Sequence, residues 1–279
     1  MTRMMGSRAA AAAVRAGFMA LLVAMPQLLL GHGTPGTRQL VALFALMAAF
    51  FTFSEYAARS PSLVEFRDAR PYNRLRAMAL LAAVLLACAM LHEPREGSLL
   101  RGFHLAAEHW SEVLDLPITP VHVLVATLPA DVDPHLAGEV RALTTMAYGL
   151  SLLMVAIFGL TIRWRNWPGR GGFNVWVNLP QFDPTAGGDV VERLQRDAHV
   201  NLLLGVSLPL IAPLAANLLA VPFNGADLRE PAALVWMVMA WAFIPANLVM
   251  RGMALNRLAW LIAAHRARLR RAEVLAQAA

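Results

Sequence analysis

Six long runs of apolar residues, at 16–30, 39–58, 77–92, 142–162, 200–223 and 231–250, limit what this chain can become more than any other feature. Hydrocarbon offers the backbone no hydrogen-bond partner, so a segment that crosses it must be an α-helix or a strand of a closed barrel. These runs are continuously apolar and approach the ~20 residues that a spanning helix needs. Composition agrees: 58% hydrophobic residues and a mean hydropathy of +0.53 over 279 residues exceed what a soluble domain of this length can bury. The expectation is an all-α, polytopic integral membrane protein, one membrane domain over 1–279, in contact with the lipid bilayer. Its transmembrane helices are expected at 12–31, 39–58, 75–92, 142–163, 199–222 and 231–252, with short interfacial helices between them.

The first run follows Arg3, Arg8 and Arg15 and has the outline of a signal peptide. A small-residue cleavage pattern is missing, so it reads as an uncleaved helix. No persuasive internal repeat is present.

All 24 basic residues are arginine, which removes Schiff-base lysine chemistry and the P-loop from consideration. The arginines gather at the ends of apolar runs, where membrane topology explains them better than nucleic acid does, and no nucleic-acid partner is expected. With the N-terminus inside, 19 of them fall in inner segments and 5 in outer ones. The positive-inside rule then places both termini and the loop 163–199 in the cytoplasm and the loop 93–141 outside. Arginine in place of lysine hints at a bacterial host, in which the membrane is the inner (plasma) membrane.

The outer loop is acidic, with eight carboxylates against Arg95, Arg101 and Arg141. Leu99, Leu100, Phe103, Ala106, Ala107, Trp110, Val113 and Leu114 share one helical stripe, so a helix lying flat on the outer leaflet is expected. Asp133-Pro134 reads as N-cap and first residue of a helix entering the fourth span. On the inner side, Ser62-Leu-Val-Glu65 has capping-box spacing and predicts a short interfacial helix that Pro71 ends.

The metal-ligating residue types are concentrated in the outer loop. His104 and Glu108 lie four apart, with His109 beside them, but neither H-E-x-x-H nor H-x-x-E-H is matched, so they stand as weak candidates and no metal or cofactor is expected. His32 and His92 fall at the outer ends of the first and third spans, as a bis-histidine haem pair would, or as helix-end histidines at a wet interface. Cys88 is the only cysteine and lies inside an apolar run, which reads as a buried small residue. Glu55 is an ionisable group at the edge of a span and a functional candidate on that ground. Its other reading is an i,i+4 pair with Arg59 at the headgroups. Asn201, Asn217 and Asn247 accompany Pro209, Pro213 and Pro245 in the last two spans, the vocabulary of a broken-helix transport site and equally of hydrogen bonding between helices.

The cytoplasmic loop is richest in recognition-type residues. FNVWVNLPQF, from Phe173 through Trp176 to Phe182, reads as an extended aromatic-apolar edge. Asp189, Glu192 and Arg196 belong to an amphipathic helix with Asp189 as N-cap. Trp164, Trp167 and Trp176 fit either a docking surface or an aromatic belt at the inner leaflet. The order Phe173-Asn174, apolar run, Pro180, followed by Asn201-Leu-Leu and Val206-Ser207, is similar to a segment of a membrane family associated with assembly of bacterial photosynthetic complexes. That similarity spans some thirty residues and does not extend into the first 140. The leading expectation is a non-enzymatic accessory or assembly component that contacts a membrane-protein partner through this loop. The alternative is a small-solute or ion transporter that uses Glu55, Asn201, Asn217 and Asn247.

Overall fold

The computed structural model describes residues 2–31, 33–92, 102, 105, 109, 111, 116–130, 132–168, 173–183, 185, 187–218 and 230–278. Among the described residues there is no strand, and eight continuous helices are traced: α1 (Thr2–Leu30), α2 (Pro35–Ala57), α3 (Tyr72–Leu91), α4 (Pro120–Ala126), α5 (Pro134–Arg165), α6 (Val175–Asn178), α7 (Val190–Leu218) and α8 (Pro231–Ala278). Six of them, α1, α2, α3, α5, α7 and α8, are long and apolar enough to cross a membrane. The chain is an all-α, multi-pass membrane protein.

Helix starts follow local chemistry. Thr34, Thr119 and Asp133 each accept a backbone N–H through the side chain, and each is followed by a proline whose missing N–H costs nothing there. Asp133 begins α5, whose 32 residues run from the acidic end of the bundle to Asn166, which ends it in the left-handed conformation.

The bundle is arranged around α8, which packs against α1, α3, α5 and α7, whereas α2 touches α1 alone. Glycine makes the α7/α8 contact close. A Cβ at Gly205 would fall 2.6 Å from Val249 Cγ2 and 2.7 Å from the Pro245 carbonyl, and one at Gly252 would fall 2.7 Å from Leu202 Cγ and 2.9 Å from the Ala198 carbonyl. Small residues let two helices approach backbone to backbone, the usual source of association energy where apolar surface gains nothing by leaving lipid. Pro213 lacks the N–H that would bind the Pro209 carbonyl, and the indole of Trp241 on α8 donates to that oxygen at 3.0 Å.

The predicted interfacial helix after Ser62 does not form: residues 58–71 are a loop. Ser62 and Glu65 have other partners, described below, and Phe66 takes a positive φ of 53° that a helix excludes. The extended reading of 173–182 is also corrected, because Asn174 caps the single turn α6 through its side chain. The apolar stripe expected on the outer leaflet lies outside the described residues, although Gly102, Leu105, His109 and Ser111 within that segment are helical.

Candidate functional site

The polar side chains collect at the arginine-rich end of the bundle, where loop 58–71 and loop 166–189 are built into each other. The Phe66 N–H donates to the Asn178 carbonyl at 2.7 Å and the Asp68 N–H to Asn178 Oδ1 at 3.0 Å. Asn178 in turn donates to the Asn174 carbonyl at 3.0 Å, so one buried amide joins two loops 110 residues apart. Trp167 stands between them. Its ring packs with Phe66, Tyr72 and Phe158 at centroid separations of 5.5, 6.3 and 5.2 Å, and its Nε1–H donates to the Ala69 carbonyl at 3.2 Å. Arg257 of α8 holds the Trp167 carbonyl at 3.2 Å. All four rings are at most 2% exposed, a core rather than a surface belt.

Two carboxylates anchor loop 58–71. Glu65 receives both Nε and Nη2 of Arg251, at 2.6 and 2.8 Å, a bidentate pair that ties the loop to α8. Asn73 donates to the Glu65 carbonyl at 2.7 Å, and Arg76 reaches from Asn73 Oδ1 to Asn247 Oδ1 at 3.1 and 2.6 Å. Glu55 is buried in the last turn of α2, and its partner is not Arg59. Its carboxylate accepts the Ser62 hydroxyl and the backbone N–H groups of Ser62, Leu63 and Val64, the last two at 2.9 Å. The expected capping box fails for this reason: the carboxylate that claims Ser62 belongs to α2, and Glu65 is held by Arg251. Arg67 completes the arrangement by donating to the carbonyls of Glu55, Ala58 and Arg59 at 2.8–3.0 Å, which closes the C-terminal end of α2.

The transport candidates do not meet. Glu55 faces the loop, Asn201 donates to its own helix at the Asp197 carbonyl, Asn247 accepts from Arg76, and Asn217 is exposed near the end of α7. A cavity of about 370 Å³ between α4, α5, α7 and α8 has none of the four in its lining, which is apolar apart from the indole of Trp241. Of the docking candidates, Phe173 and Phe182 pack against the protein's own core, and Arg193 covers the Phe182 ring at 4.7 Å. Trp176, Asp189, Glu192 and Arg196 are exposed. Asp189 caps α7 through the Val191 N–H at 3.0 Å and binds Arg266 of α8 at 2.7 Å. That guanidinium bond, followed by the cap, holds the Asp189 carboxyl below its ordinary range.

His104, Glu108 and His32 lie outside the described residues. His109 is exposed, and His92 caps the end of α3. Among the described residues no three histidine, cysteine or acidic side chains come close enough to hold a metal.

One feature was invisible in the sequence. Arginines that read singly as topology signals converge on a cavity of about 730 Å³ framed by α1, the end of α2, loop 58–71 and the start of α3. Their convergence depends on long-range packing, and only their density over 59–76 hinted at it. Comparison with protein-family models, with characterised proteins and with solved structures finds no match to this chain.

Proposed function

We propose that this chain is a non-enzymatic accessory or assembly component of a bacterial inner membrane, working through protein contacts on the layer built by loops 58–71 and 166–189. In this reading the arginine-rich end and both termini face the cytoplasm, in keeping with the arginine distribution. One observation carries the proposal. Loop 166–189 turns Trp167, Leu179 and Phe182 inward yet leaves Trp176 60% exposed, on a turn fixed from both sides by Asn174 and Asn178. An exposed indole on a fixed turn is a side chain of the type enriched at the centres of protein interfaces. Glu192 and Arg196, one turn apart on α7 and exposed, supply polar contacts of the kind that rim such a centre.

The test is purification of the tagged chain from native membranes in mild detergent, with mass spectrometry of what co-elutes. A stoichiometric second membrane protein is expected, and Trp176→Ala should release it while leaving thermal stability unchanged. A wild-type chain that elutes alone sinks the proposal. Replacing the entire loop would remove Asn178 and Leu179 from the core, so the point substitution is the discriminating change.

A further inference from the structure

The arginine-lined cavity has a chemistry of its own. Arg8 and Arg15 reach it from α1, Arg59, Arg67 and Arg70 from the loop, and Arg74 from the first turn of α3. Against these six guanidinium groups stands one carboxylate, Asp68, which lies 3.7 Å from Arg67 and is mostly exposed. Arg67 is committed to three backbone carbonyls, and Arg15 is held by the Ala11 carbonyl at 2.8 Å and the Tyr56 ring at 4.9 Å. The guanidinium groups of Arg8, Arg59, Arg70 and Arg74 have no hydrogen-bond or ion-pair partner among the described residues. Cations gathered around one concavity repel each other unless an anion joins them, and guanidinium groups match the oxygens of a phosphate in geometry as well as charge.

The rest of the lining gives that anion a shape. Phe18 and Met19 of α1 and Ala77 of α3 continue the wall down the membrane-spanning part of the bundle, below the arginines. A cavity that is cationic at the rim and apolar along the helices fits a molecule with a phosphate at one end and hydrocarbon at the other. Arg163 and Arg165, at the same end of the bundle on the last turn of α5, are exposed and take no part in the lining. The convergence is therefore more than the general excess of arginine on one side.

We propose that this cavity binds the phosphate of an anionic amphiphile, a phospholipid headgroup whose acyl chain lies along Phe18 and Met19. Arg8, Arg59, Arg70 and Arg74 contact the phosphate. Arg15 and Arg67, fixed by their own partners, set the field in which it sits.

The experiment is native mass spectrometry of the full chain in phosphatidylcholine nanodiscs titrated with phosphatidylglycerol. Preferential retention of the anionic lipid is expected, reduced about tenfold in the double variant R70Q/R74Q and unchanged in R163Q/R165Q. Inorganic phosphate added in phosphatidylcholine alone separates the two sources of the anion. Protection against heating by phosphate, lost in R70Q/R74Q, would support the phosphate site while assigning it to a free anion. No preference for the anionic lipid, or an equal loss in both double variants, overturns the proposal and returns the arginines to topology. If R70Q/R74Q is not monodisperse in phosphatidylcholine, Arg8→Gln on the opposite wall reads the same contact.

Discussion

Helices α2 and α8 both cross the membrane, yet they are held in place by different physics. Half of the apolar window of α8 is buried inside the bundle, against 11% for α2, whose Leu43, Phe44, Leu46 and Phe50 are exposed. In lipid, apolar surface gains little by moving from tail to helix, and α2 packs along one neighbouring helix, α1, where α8 packs along four. The polar end of α2 compensates. The Glu55 carboxylate gathers the N–H groups of 62–64, and Arg67 closes the last carbonyls, so α2 is held by α1 and by hydrogen bonds at one terminus, while α8 is set by four neighbouring helices and by close backbone contact with α7 over Pro245–Gly252.

Four substitutions or conditions break or sharpen that contrast. The largest effect is expected from Gly252→Leu, which forces a side chain into the Leu202 and Ala198 contact. Overpacking of this kind costs about 3 kcal/mol, and it should show as a lower thermal midpoint and as maleimide labelling of Cys88, which is 3% exposed in the folded chain. Next comes Glu55→Ala, which strands three backbone donors for a loss of about 2 kcal/mol. Here proteolysis around 58–64 should rise while Cys88 stays protected. Labelling of Cys88 as fast as in Gly252→Leu would collapse the distinction between the two helices.

Glu65→Gln weakens the tie from loop 58–71 to α8. Glu65 is 11% exposed and Arg251 28%, so solvent screens part of the pair and about 1 kcal/mol is expected, read from denaturant midpoints. The smallest effect is that of acid on the Asp189–Arg266 contact. Because the folded carboxyl titrates below its unfolded value, the contact contributes fully above the ordinary aspartate range and is lost as pH falls through the lowered value. The protection factors of the amides around Arg266 in α8, with the intrinsic pH dependence of exchange divided out, should therefore stay constant from neutral pH into mild acid and then fall, and a fall already near neutrality would contradict it.

Hydropathy was enough to see six apolar helices, because each run reports its own burial in lipid. Caps formed by neighbours in the chain were legible too: Asp133 and Asp189 act where their spacing places them. Ser62 and Glu65 misled for the same reason, since the pattern is local and the competing partners are not. Glu55 lies on the preceding helix, and Arg251 is 186 residues away. The Phe66, Tyr72, Phe158 and Trp167 cluster has no local signature at all, and Trp167, which resembled a belt residue, is buried. In the candidate site, Phe173 and Phe182 read as surface because an aromatic in a polar loop gives no sign of which way it turns.

The length of α8 has one more consequence. At 1.5 Å per residue, its 48 residues make a rod of about 72 Å, against about 45 Å for a bilayer with its headgroups. An upright rod leaves roughly 25 Å of stiff arm beyond the membrane, with Arg268, Arg270 and Arg271 near its middle. A partner meeting that arm encounters a charge cluster at a set height, already ordered, and so forfeits less chain entropy than it would by capturing a flexible tail.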